Sequence, residues 1–241
     1  MNARNIGSTG DDAAQRWGLW ALAAGGSLIA ILTAFWMTGL GGGGNDPAQQ
    51  ARDQASLLSV IGFGWLQILA FVALIFGLLA LYAGARPAAP RAALAGLVLG
   101  ILSLSAVIAA FGAAALGGAV VAHSYLNGNT GALDAMNHLS GGSFGAAIMQ
   151  ALVAGTILSV LCAIAGGIAL WREAAAPRWA IVAFGLGFVL AVASIPGIST
   201  VGGLLLIASG VVFTRSLLPR ATVVSESQGG TQARPQPTHG D

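Results

Sequence analysis

The chain has 241 residues, of which 56% are hydrophobic and only 7% are charged. A soluble domain carries roughly 25% charged residues, so this composition excludes an ordinary water-exposed surface. A bilayer removes that requirement, because side chains that face lipid must be apolar. The net charge of +2 is too small to predict a nucleic-acid partner. The composition therefore predicts an all-α integral membrane protein whose main partner is the lipid bilayer.

The apolar stretches predict a polytopic bundle of six transmembrane helices over residues 17–218. A helix rises 1.5 Å per residue, so about 20 residues cross the hydrocarbon layer. The expected spans are 17–40, 57–82, 92–122, 144–171, 179–195 and 198–214. Asn45-Asp46-Pro47 has the pattern of a helix start, so the second helix is expected to begin near Pro47, outside the bilayer, and to run to about Tyr82. The polar segments 1–16 and 219–241 are predicted to be disordered.

The count of six depends on a break inside the last apolar stretch. A single helix from Trp179 to Thr214 would be about 54 Å long, almost twice what the bilayer needs. Pro196 and Gly197 together predict a turn between two shorter helices. Without that turn, the bundle would have five spans.

The arginines predict the orientation, because positively charged loops stay on the cytoplasmic side. The terminal segments and the second and fourth connections hold Arg4, Arg16, Arg86, Arg91, Arg172, Arg178, Arg215 and Arg220. The other connections hold Arg52 alone. Both termini are therefore predicted to be cytoplasmic, and five spans would place the C-terminal arginines outside.

A short repeat and a resemblance concern the predicted hairpins. Ala89-Pro90-Arg91 recurs as Ala176-Pro177-Arg178, which either a duplication of a two-helix hairpin or chance similarity among Ala- and Leu-rich helices explains. The segment Gly77–Leu104 resembles hairpins in small membrane proteins of GC-rich bacteria. That resemblance implies the bacterial inner membrane and no particular activity.

Polar and small residues within the spans are the candidates for helix packing. Gln67 and Gln150 are explained either by hydrogen bonds between helices or by contact with a substrate in a cavity. Small residues four positions apart allow two helix backbones to approach closely, either within this chain or at a contact with a partner. These pairs are Gly96 and Gly100, Ala163 and Gly167, and Ala183 and Gly187.

The sequence offers little catalytic or metal-binding chemistry. His123, Asp134 and His138 are the one cluster of metal-ligand types, but a structural zinc site needs four ligands. We therefore expect these three residues to be ordinary loop residues and predict no metal. The single cysteine, Cys162, is expected to be a buried apolar residue. No nucleotide-binding loop or catalytic triad is present, so we expect no catalytic residue and no cofactor.

The leading functional hypothesis is a non-enzymatic scaffold or accessory subunit of a larger membrane assembly, with other membrane subunits as partners. No ionisable residue lies well inside a span, whereas ion-coupled transporters use such residues. The alternative is a transporter or channel-like protein for a neutral or lipid-like molecule. An enzyme that uses the loop containing His123 is the third hypothesis.

Overall fold

The computed structural model describes residues 6–35, 47–56, 59–132, 134–135, 142–173, 176–195 and 197–229. Within these ranges the chain forms helices joined by turns, and no strand is present. The α-helices are α1 (Ile6–Phe35), α2 (Pro47–Ala55), α3 (Gln67–Ala85), α4 (Pro90–Leu126), α5 (Ser143–Glu173), α6 (Arg178–Val192) and α7 (Ile198–Gly229). A π-helical segment, Val60–Leu66, leads directly into α3.

Five of these helices are long and apolar enough to cross a bilayer, as a multi-pass membrane protein requires. They are α1 from Ala13, α3 together with the π-helical segment, α4, α5 and α7 as far as Ser216. The sixth apolar helix, α6, has 15 residues and is therefore about 22 Å long. The all-helical prediction is confirmed, and α6 is shorter than an ordinary span.

Several helix boundaries differ from the predicted ones. The first helix begins at Ile6 and the last continues to Gly229, so both enter the polar segments. Extending an existing helix costs little, because nucleation is the expensive step. The predicted helix from Pro47 to Tyr82 is instead interrupted after Ala55. There the Ser56 hydroxyl donates to the Asp53 carbonyl (2.7 Å) and accepts from the Ser59 amide (3.1 Å), in competition with the helical hydrogen bonds.

The predicted turn in the last apolar stretch is present. The helix α6 ends at Val192, and Ser194 and Gly197 adopt positive φ angles of 58° and 81°. Such angles do not continue a right-handed helix, so the chain reverses before α7 begins at Ile198. Pro196 itself lies outside the described residues.

The six apolar helices form a closed antiparallel ring, in which each helix packs against its neighbours in the chain and α7 packs against α1. An apolar core fills the ring, and its largest fully buried side chains include Phe71, Phe184, Phe188 and Phe213. Because both neighbours of α6 are helices of this ring, α6 is an integral part of the bundle.

The antiparallel order brings most of the arginines together. Contacts pair the beginning of α1 with the end of α3, the beginning of α4 with the end of α5, and the beginning of α1 with the C-terminal part of α7. One end of the bundle, here called the arginine end, therefore holds Arg16, Arg86, Arg91, Arg172, Arg178 and Arg215. The Arg178 guanidinium lies 5.0 Å from the centroid of the Trp171 ring, a cation–π contact between α5 and α6.

Candidate functional site

The predicted glycine pair on α4 packs inside the chain. A Cβ atom placed on Gly96 would lie 2.9 Å from the backbone nitrogen of Gly166 on α5. A Cβ atom on Gly100 would lie 2.5 Å from Cδ1 of Leu78 and 3.0 Å from Sγ of Cys162. The α4 face that holds Gly96 and Gly100 is thus an internal contact.

The small residues on α5 and α6 pack more loosely, except at one position. A Cβ atom on Gly185 would lie 3.4 Å from Cβ of Ala163, and one on Gly167 would lie 4.0 Å from Cγ2 of Ile181. Gly187 is tighter, since its Cβ atom would lie 3.0 Å from the carbonyl oxygen of Gly202 on α7. Ala183 is half-buried and takes part in none of these glycine contacts.

The closest contact between α1 and α7 was not predicted. A Cβ atom on Gly26 would lie 2.8 Å from the Gly203 carbonyl oxygen, and the hydroxyls of Thr33 and Thr200 are 2.9 Å apart farther along the same pair. Small residues on both helices did indicate that each could pack closely against another helix. The sequence did not show that α1 would pack against α7, because the two helices are far apart in the chain.

The two glutamines do not share a site. Gln67 is buried at the junction between the π-helical segment and α3, whereas the Gln150 side chain is exposed on α5. Neither residue lines a small apolar cavity of about 30 Å³ in the core or a larger surface groove between α1 and α3. A buried hydrogen bond between helices is made instead by Ser103, whose hydroxyl donates to the Gly155 carbonyl over 2.7 Å.

The candidate metal ligands are not brought together in the part of the chain that is described. His123 is exposed near the end of α4, and Asp134 is exposed beyond the turn that follows it. His138 lies outside the described residues. The prediction that the three are ordinary loop residues therefore stays a prediction.

One helix of the ring is covered much less than the others. In the most apolar segment of α5 only 17% of the residues are buried, against 33–44% in the other four long apolar helices. The uncovered side of α5 also exposes Met149, Leu161 and Ile168, and the stripe formed by Gln150, Val153, Ile157, Val160, Ile164 and Trp171 is here called the open face. From Gln150 to Ile164 these residues recur at alternating intervals of three and four, as on a helix that packs along a second helix, and Trp171 follows seven residues later.

The open face has two further physical properties. Four successive residues of the stripe have β-branched side chains that are stiff at χ1: Val153, Ile157, Val160 and Ile164. These side chains therefore lose little conformational freedom when another helix covers them. Gln150 lies about 31 Å along the axis from Trp171, which is the thickness of the hydrocarbon layer. An apolar stripe thus extends over a length equal to that of the hydrocarbon layer, with an amide at one end and an aromatic ring at the other.

The chain has no significant match to any protein-family model, to any curated protein or to any solved structure.

Proposed function

We propose that the chain is a non-enzymatic scaffold or accessory subunit of a larger membrane assembly. It contacts its partner through the open face of α5. The observation that carries this proposal is the low coverage of α5, combined with the stripe of exposed β-branched side chains along its length.

The β-branched side chains of the stripe favour contact with a protein helix over contact with lipid. Lipid chains are as apolar as side chains, so exposure alone favours neither. Packing between membrane helices instead depends on van der Waals contact between well-ordered surfaces. The stripe presents such a surface, because the stiff side chains of Val153, Ile157 and Ile164 are each 56–57% exposed.

Transport is less well supported, because it needs a polar route through the bundle. The residues proposed for that role, Gln67 and Gln150, lie apart and line neither described cavity. The core of the ring is instead packed with Phe side chains.

The proposal includes a topology of six spans, with α6 and α7 entering the membrane as a hairpin. Support comes from the closed ring and from the six arginines at one end of it. The positive-inside rule then assigns the arginine end and both termini to the cytoplasm. The bacterial inner membrane is the location that the composition favours.

Photo-crosslinking in native membranes tests the partner contact. A photoreactive phenylalanine analogue at Ile157 samples the open face, and the same analogue at Leu102 on α4 is the matched control. Leu102 is 52% exposed and lies at a similar depth, because Ser103 of α4 bonds to Gly155 of α5. We expect one discrete protein adduct from position 157 and lipid adducts alone from position 102.

Two outcomes would contradict the proposal. Lipid adducts alone at both positions would mean that the bilayer covers the open face. An adduct at position 157 with a second copy of this chain, and with no other protein, would make the face a homodimer contact and remove the support for an accessory role.

A further inference from the structure

A groove of about 720 Å³ opens between α1 and α3 at the arginine end. The close approach of the two helices explains why it forms. A Cβ atom on Gly18 would lie 2.6 Å from Cβ of Ala80 and 2.8 Å from the carbonyl oxygen of Phe76. The residues at this contact are small, so no side chain fills the groove beside it. The side chains of Trp17 and Phe76, which are 75% and 56% exposed, line the groove.

The groove is amphipathic along its length. Its deeper part is apolar and lies within the spans, whereas its mouth holds the side chains of Gln15, Tyr82 and Arg86. Arg86 directly follows α3, so its guanidinium lies at the level where a membrane helix meets the headgroup layer. Among the residues whose side chains the structure describes, Arg86 is the one charged residue that lines the groove, and it makes no ion pair with any of them.

We propose that this groove binds a phospholipid with an anionic headgroup. The acyl chain lies along the small-residue valley between α1 and α3, and a phosphate oxygen accepts hydrogen bonds from the Arg86 guanidinium. Basic pockets between membrane helices bind anionic headgroups in this way. The planar guanidinium suits phosphate oxygens, because it donates two parallel hydrogen bonds.

The charge at the mouth favours an anionic lipid over a zwitterionic one. A zwitterionic headgroup carries its own cation, which competes with Arg86 for the phosphate. The exposed Trp17 ring and the Tyr82 hydroxyl suit the same boundary, where amphipathic aromatic side chains are enriched. This proposal does not depend on the proposed partner contact, because that contact is on α5 whereas the groove lies between α1 and α3.

Native mass spectrometry of the full-length chain in mild detergent tests the proposal. The probes are phosphatidylglycerol and phosphatidylcholine with identical acyl chains. We expect phosphatidylglycerol to bind about tenfold more tightly, because the choline cation of phosphatidylcholine competes for the phosphate and weakens a charge-assisted contact that has roughly that effect on affinity. Inorganic phosphate in excess should not displace the lipid, since free phosphate lacks the acyl chain.

Three variants separate a specific site from general attraction to a basic surface. Arg86→Gln should abolish the preference for phosphatidylglycerol, and Arg91→Gln, an exposed arginine at the same end but outside the groove, should keep it. Ala83→Phe fills the groove without changing its charge and should weaken binding of both lipids. It also tests the proposal if Arg86→Gln does not fold.

The proposal is wrong if the two arginine variants lose the preference equally, because the site would then be the whole basic end. It is also wrong if Ala83→Phe binds both lipids like the unmodified chain. Displacement of the lipid by inorganic phosphate would mean that the guanidinium binds phosphate without using the groove.

Discussion

Replacing Gly96 by alanine tests how closely the backbones of α4 and α5 approach. The added Cβ atom would lie 2.9 Å from the nitrogen and 3.1 Å from the Cα atom of Gly166. Both are backbone atoms of a helix, so they cannot move aside by rotating a side chain. Overpacking of this kind costs about 1–3 kcal/mol, and alanine returns at most about 1 kcal/mol through its higher helix propensity.

The opposite side of the same contact supplies the matched control. A Cβ atom on Gly166 would meet nothing within 4 Å, so Gly166→Ala should gain the propensity term without the clash. We therefore expect Gly96→Ala to be less stable than Gly166→Ala by about 1–3 kcal/mol. The measurement is reversible unfolding in mixed detergent micelles, followed by tryptophan fluorescence. Equal stability of the two variants would refute the close approach of α4 and α5.

Two further predictions concern topology and a buried hydrogen bond. Tags that carry a protease site, fused at Met1 and at Asp241, should be protected from externally added protease in intact cells, whereas a tag at Gly128 should be cleaved. Cleavage of the tag at Asp241 would contradict six spans. Ser103→Ala removes a buried bond between helices and should lower the free energy of unfolding by about 0.6–1 kcal/mol, whereas Ser105→Ala, at an exposed position of the same helix, should not. Equal unfolding midpoints would show that the Ser103 bond contributes nothing to stability.

The sequence predicted the helices well because the bilayer permits few alternatives. Backbone polar groups must be satisfied within each span, so a long apolar stretch predicts a helix. The turn near Gly197 was predicted because a 54 Å helix is longer than the membrane requires. The split between α2 and α3 was not predicted, since it depends on the local hydrogen bonds of the Ser56 hydroxyl.

The packing partners were harder to predict, for a physical reason. A helix in lipid is apolar on the side that faces the protein and on the side that faces the bilayer, so periodicity does not distinguish the two. Gly96 and Gly100 were candidates for helix packing because small residues on one face allow close approach, but the sequence left open whether they face this chain or a partner. The groove between α1 and α3 was not predicted, because Arg86 was interpreted only as an orienting residue and only the fold shows that it lines one groove with Trp17.

The contact between α6 and α7 has a consequence for how the protein is made. At about 22 Å, α6 is too short to partition into the membrane independently. Its backbone lies against that of α7, where a Cβ atom on Gly202 would be 2.9 Å from the Gly187 carbonyl oxygen. In the proposed topology of six spans, the emerging α6 would therefore have to wait near the insertion machinery until α7 has left the ribosome, and the two helices would enter the bilayer as one unit.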